Sequence, residues 1–134
     1  MNTSRIRTIL LADDDSAVIA ALSVRLTSEG HRCIAARTGA EALACFDREA
    51  PDLVICDLHM PDGDGATLAE CIRASSAVPI ILISGVREEF RRRLRRIPDV
   101  TFVRKPFLTS DLLEIVDAAF IASDAATGSP EQAA

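Results

Sequence analysis

Short β-type runs alternate with helix-type stretches along almost the whole chain, and this alternation constrains the fold more than any other feature. The β-type runs are Thr8–Ala12, Arg32–Ala35, Leu53–Cys56, Pro79–Ile83 and Thr101–Val103. Between them lie amphipathic segments. The first carries Val18, Leu22 and Leu26 at helical spacing and stops at Gly30, a usual C-terminal signal. The second opens on Thr38-Gly-Ala-Glu41, a capping box in which each side chain can satisfy a free backbone N–H. A third spans about Ala66 to Ala74, a fourth carries Phe90, Leu94 and Ile97, and a fifth runs from Thr109 to about Ala122. Strand–helix alternation of this kind closes into right-handed crossovers, so the expected fold is α/β, a doubly wound five-stranded parallel sheet covered on both faces. The wholly apolar runs at Leu53–Cys56 and Pro79–Ile83 suit central strands buried on both sides.

A chain of 134 residues, 49% hydrophobic, fits one domain with a substantial core. We expect that domain to occupy residues 1–122, with the Ala-, Ser-, Gly- and Pro-containing stretch 123–134 a disordered tail. The net charge of −5 argues against a general nucleic-acid coat. No apolar run approaches the ~20 residues needed to span a bilayer, and the N-terminal run is too short for a signal-peptide core. The expected location is the cytoplasm. Cys33, Cys45, Cys56 and Cys71 form no C-x-x-C pair and read as small buried hydrophobes in a reducing compartment.

The polar residues cluster at strand ends. Asp13, Asp14 and Asp15 follow the first strand, Asp57 the third, Ser84 the fourth, and Lys105-Pro106 the fifth. In an open parallel sheet all strand C-termini share one edge, and the crevice there is the usual ligand site. Several carboxylates at one point suit a hard divalent cation such as Mg2+. A carboxylate nucleophile, a metal, an ammonium and a hydroxyl around one point meet the needs of phosphoryl transfer. Asp15 reads as a helix N-cap.

Four fragments, in order, resemble the receiver domain of bacterial two-component response regulators. They are Ile9-Leu-Leu-Ala-Asp-Asp-Asp15, the run from Asp52 to Gly65, Ile80-Ile-Leu-Ile-Ser-Gly85 and Val103-Arg-Lys-Pro-Phe107. The likeness covers roughly residues 5 to 122. It implies a flavodoxin-like sheet of order 2-1-3-4-5, with Asp57 as phospho-acceptor. It further implies Mg2+ held by Asp13, Asp14, Asp57 and the backbone carbonyl of His59. Ser84 and Lys105 would attend the phosphoryl group, and Ser84 and Phe102 would form the switch. The implied partners are a histidine kinase or histidine phosphotransfer protein, and a downstream protein or second copy met through the surface of the fourth helix, fifth strand and fifth helix. Departures from the family pattern are His59, Gly85, Phe102 in place of a tyrosine, and Pro98-Asp99.

Other readings fit less well. A haloacid-dehalogenase-like phosphatase needs a second carboxylate two residues after its nucleophile, and His59 stands there. A calcium loop with Gly65 as its glycine would place Met60 and Cys71 at ligand positions. A binding module that works without phosphorylation does not explain the complete acceptor set. The expectation is therefore a switch whose only catalysis is its own phosphoryl transfer. Arg87, Arg91, Arg92, Arg93, Arg95 and Arg96 crowd the fourth helical stretch. They read either as a solvated face or as a docking surface for acidic groups such as Asp111, Glu114 and Asp117.

Overall fold

The computed structural model describes residues 6–60, 63–85 and 97–133, and the side chains of 6–60, 65–85 and 97–125. The main sheet contains β1 (Thr8–Ala12), β2 (Arg32–Ala36), β3 (Leu53–Asp57) and, after a small hairpin of β4 (His59–Met60) and β5 (Gly63–Asp64), β6 (Ile80–Ser84) and β7 (Val100–Arg104). All its neighbouring strands pair in parallel, in the order β2-β1-β3-β6-β7. Counting only the five long strands, this is the expected 2-1-3-4-5. Four helices are present among the described residues: α1 (Ser16–Ser28), α2 (Gly39–Glu49), α3 (Gly65–Arg73) and a C-terminal helix, Thr109–Ala133.

Side-chain alternation divides the core into two layers. Leu10, Ala12, Val54, Cys56, Ile80 and Leu82 face α2 and α3, packing on Ala42, Cys45, Leu68, Ala69 and Ile72. Ile9, Leu11, Leu53, Ile55, Ile81 and Ile83 face α1 and the C-terminal helix, packing on Leu22, Leu26, Leu112, Val116 and Phe120. Every residue of β3 and β6 is buried, which is why those segments read as unbroken apolar runs. Truncating a fully buried central residue such as Ile81 to Ala should cost ~2–5 kcal/mol.

Local signals fix the helix ends. Asp15 is the N-cap of α1, its Oδ1 accepting from the Ala17 N–H at 2.9 Å. Beyond the C-cap Glu29, Gly30 turns the chain out with φ +93°, a conformation that suits glycine. At α2 the Thr38 Oγ1 accepts from the Glu41 N–H at 3.0 Å, while the Glu41 carboxylate reaches back to the Arg37 N–H at 2.6 Å. The box thus closes one residue earlier than its usual form.

Two expectations need correction. Helix continues past Ala122 to Ala133, where the sequence suggested a disordered tail. Ser123-Asp-Ala-Ala has helix-compatible residues without an apolar period, and Asp124 is tied to Arg7 by an ion pair. The cysteines are free, but Cys71 is exposed and Cys33 only half-buried. The β4–β5 hairpin adds a feature on which the sequence reading makes no statement. The arginine-rich stretch 86–96 lies outside the described residues, as does the surface role expected of it. Ile97, the last member of its expected apolar stripe, is buried. No helix among the described residues is long and apolar enough to cross a membrane.

Candidate functional site

The acidic centre arises from strand register and side-chain parity. Asp13 and Asp57 sit one residue beyond the last β1–β3 pair, Ala12 with Cys56. They continue the Leu11 and Ile55 rows, so both carboxyls reach the α1 side of the sheet. There they edge a small recess also lined by Leu11, Val18, Ile19, Leu22, Ile55 and Ile83. Asp13, Asp14 and Asp57 bring carboxylate oxygens within 4.8 Å of one another. Asp13 and Asp57 are buried and Asp14 is exposed.

Each carboxylate is held by specific donors. Asp57 Oδ1 accepts from the His59 N–H at 2.9 Å, and Oδ2 takes the Lys105 ammonium at 2.8 Å. Asp13 Oδ1 accepts from the Asp15 N–H at 2.9 Å. Burial pushes the Asp13 carboxyl up to about 6; the Asp15 N–H opposes this rise, and the negative charge of Asp57 adds to it. Burial works to lower the Lys105 ammonium, but the hydrogen bond to Asp57 and the charges of Asp57, Asp13 and Asp14 outweigh it and hold it above its ordinary value.

The other site residues come from the same sheet edge. Ser84 is fully buried at the end of β6, one residue past Ile83, the register partner of Asp57. Its carbonyl accepts from the Lys105 N–H at 2.9 Å, which seats the lysine backbone against β6. The Lys105–Pro106 peptide is cis. Phe102 pairs with Leu82 in the β6–β7 ladder and packs half-buried against the α2/α3 layer. His59 is exposed, and its backbone N–H donates to Asp57.

Two contributors were not assigned from sequence. Gly65 opens α3 directly beneath Asp57, with its N–H donating to the Leu58 carbonyl at 2.9 Å. Arg37, after β2, donates from Nη2 to the Asp14 carbonyl at 3.2 Å. The glycine was visible in the fragment ending at Gly65, but the close approach that requires it was not.

This centre can hold a hard cation on three convergent oxygen donors and can present a buried carboxylate to an electrophile. Residues 9–117 match the family described as Response regulator receiver domain. The chain belongs to that family. It is 37% identical over 105 residues to the probable transcriptional regulator ycf27 of Porphyra purpurea, covering 78% of this chain and 43% of that protein. It is 43% identical over 77 residues to the transcriptional regulatory protein GlrR of Escherichia coli K12, covering 57% of this chain and 17% of that protein. The chain therefore spans less than half the length of these curated relatives. Among solved structures, the non-phosphorylated HemR receiver domain of Leptospira biflexa superposes with TM-score 0.76 at 30% identity, covering 84% of this chain and 93% of that one. The Vibrio cholerae chemotaxis protein CheY4 superposes with TM-score 0.79 at 24% identity, over 86% of this chain and 99% of that one, a likeness of fold.

Proposed function

We propose that this chain is a phosphorylation switch in which Asp57 accepts a phosphoryl group from the phosphohistidine of a kinase or phosphotransfer protein. The observation that carries this reading is the 2.8 Å contact of Lys105 with Asp57 beside the Asp13–Asp14–Asp57 cluster. An Asp57 oxygen forms the new O–P bond as the P–N bond to imidazole breaks, and the departing imidazole nitrogen retains the bonding pair. Lys105 and Ser84 stand at the strand ends where charge on the transferring oxygens needs donors. Asp13, Asp14 and Asp57 would hold Mg2+, with the His59 carbonyl as the further ligand the family suggests. When bound, Mg2+ would offset the mutual repulsion of the carboxylates and the charge of the phosphoryl oxygens.

Acylphosphate formation places a dianion on a side chain that now pairs with Lys105, so the β6 and β7 ends must rearrange around it. Ser84 and Phe102 lie on those two strands. We infer that the change biases a two-state surface including β7 and the C-terminal helix, through which a downstream protein or second copy is met. The chain acts as a switch and turns over no other substrate, and its place is the cytoplasm. Intact mass after incubation with acetyl phosphate and Mg2+ tests the reading. A phosphate-sized increase is expected, lost in Asp57→Asn and on chelation. Labelling of Asp57→Asn at the wild-type rate would overturn it.

A further inference from the structure

The residues at the rim of the acidic centre divide by sign. Asp13, Asp14 and Asp57 come from the central strands β1 and β3, and Lys105 approaches from the β7 side. On the opposite side, one residue past the last β1–β2 pair of Ala12 with Ala36, stands Arg37. The Asp13 N–H donates to the Ala36 carbonyl at 3.0 Å, so Arg37 is carried on the same ladder that fixes Asp13.

Arg37 is exposed, yet it is held at three points. Its own N–H is taken by Glu41, the following Thr38 caps α2, and its guanidinium reaches the carbonyl of Asp14. Glu41 engages the Arg37 backbone, and the guanidinium donates to a neutral carbonyl, so the positive charge is not paired through these bonds. The Lys105 ammonium and one bound divalent cation would together offset the three carboxylates. An incoming phosphoryl dianion then meets a centre with no net positive charge. A guanidinium anchored at the mouth supplies it, and its planar donor fork suits phosphate oxygens.

We propose that Arg37 is a specificity-determining residue that captures the anionic phosphodonor at the mouth of the Asp57 site. The inference rests on Asp57 being the acceptor. It carries an opposite consequence for the metal, because a fixed positive charge beside Asp14 repels a divalent cation. Arg37 therefore strengthens binding of the donor and weakens binding of Mg2+. A residue that merely held the β1–α1 loop through the Asp14 carbonyl would strengthen both.

The test pairs two measurements on the full chain. Labelling of Asp57 is followed by intact mass against acetyl phosphate concentration, and Mg2+ affinity is measured by calorimetry without any donor. Arg37→Gln keeps a donor for the Asp14 carbonyl but removes the charge. It should raise the half-saturating acetyl phosphate concentration about three- to tenfold and tighten Mg2+ binding. Arg37→Lys should stay near wild type in both. Unchanged half-saturation in Arg37→Gln would overturn the proposal, as would Mg2+ affinity that falls with labelling. A wild-type chain that acetyl phosphate does not label at Asp57 would instead remove the acceptor reading beneath it.

Discussion

Gly65 lies so close beneath Asp57 that a Cβ at this position would meet the Asp57 carbonyl oxygen in a hard clash. That Cβ would also lie 3.1 Å from the Asp57 carbonyl carbon and 2.8 Å from Cys56 Sγ. Both Asp57 atoms belong to backbone locked into the central strand, so neither can move aside cheaply. The first turn of α3 is thereby pressed against the Asp57 peptide.

Gly65→Ala should therefore lower stability by ~1–3 kcal/mol, as overpacking in a tight core does. It should also slow Asp57 labelling, because the strain falls on the strand that ends in Asp57. Urea melts and acetyl phosphate labelling check both effects. Unaltered stability would mean that α3 shifts freely away from β3.

The contrast between Gly65 and Asp57 shows what sequence could and could not reveal. Asp57 was legible because it ends an apolar run, and parallel topology alone gathers strand ends. The same logic found Asp13, Ser84 and Lys105. Gly65 was not legible as a requirement, because its need is a steric approach that appears only when α3 docks. The continuation of the C-terminal helix escaped because periodicity reports a buried face, and its last turns are not marked by an apolar period. Its tie to Arg7 joins residues 117 positions apart, which no local pattern displays. Two-residue strands such as β4 and β5 fall below the length at which alternation is readable.

That distal tie gives a second prediction. Arg7 pairs with Asp124 and lies over the Phe120 ring at 4.6 Å, while His31 packs on the same ring at 5.3 Å. Arg7 precedes β1, whereas Asp13 follows it, so this cluster marks the end of the sheet away from Asp57. Asp124→Ala should cost ~0.5–1 kcal/mol of stability, since Asp124 is partly exposed. Labelling of Asp57 should be unaffected. A labelling defect as large as the stability loss would show that the C-terminal helix is coupled to the site.

Lys105 gives a third. Lys105→Ala leaves the buried Asp57 carboxylate without its cation and should destabilise the metal-free chain by about 1–2 kcal/mol. Mg2+ affinity should not fall, because the ammonium and the metal are both cations drawn to the same carboxylates. The phosphorylated variant should fail to reproduce the wild-type change in amide chemical shifts along β6 and β7. A full wild-type response would mean that Lys105 does not sense the phosphoryl charge.

The last prediction follows from the burial of Asp13. Its carboxyl is raised from the model-compound value of 3.8 to about 6 in the folded chain, chiefly by burial. The folded state therefore binds this proton more tightly than the unfolded state does. Stability falls as pH rises from about 4 through 6, and the penalty is complete above that window. Asn at this position keeps an oxygen for the Asp15 N–H but cannot ionise. Metal-free Asp13→Asn should match the wild type near pH 4 and exceed it by ~1–3 kcal/mol at pH 7.5. Adding Mg2+ at pH 7.5 should narrow or reverse the difference, because the wild type has one more carboxylate for the cation. Thermal melts in chelator and in Mg2+, at both pH values, decide it. Parallel stability curves for the two proteins across this range would mean that Asp13 is no more protonated in the folded chain than in the unfolded one.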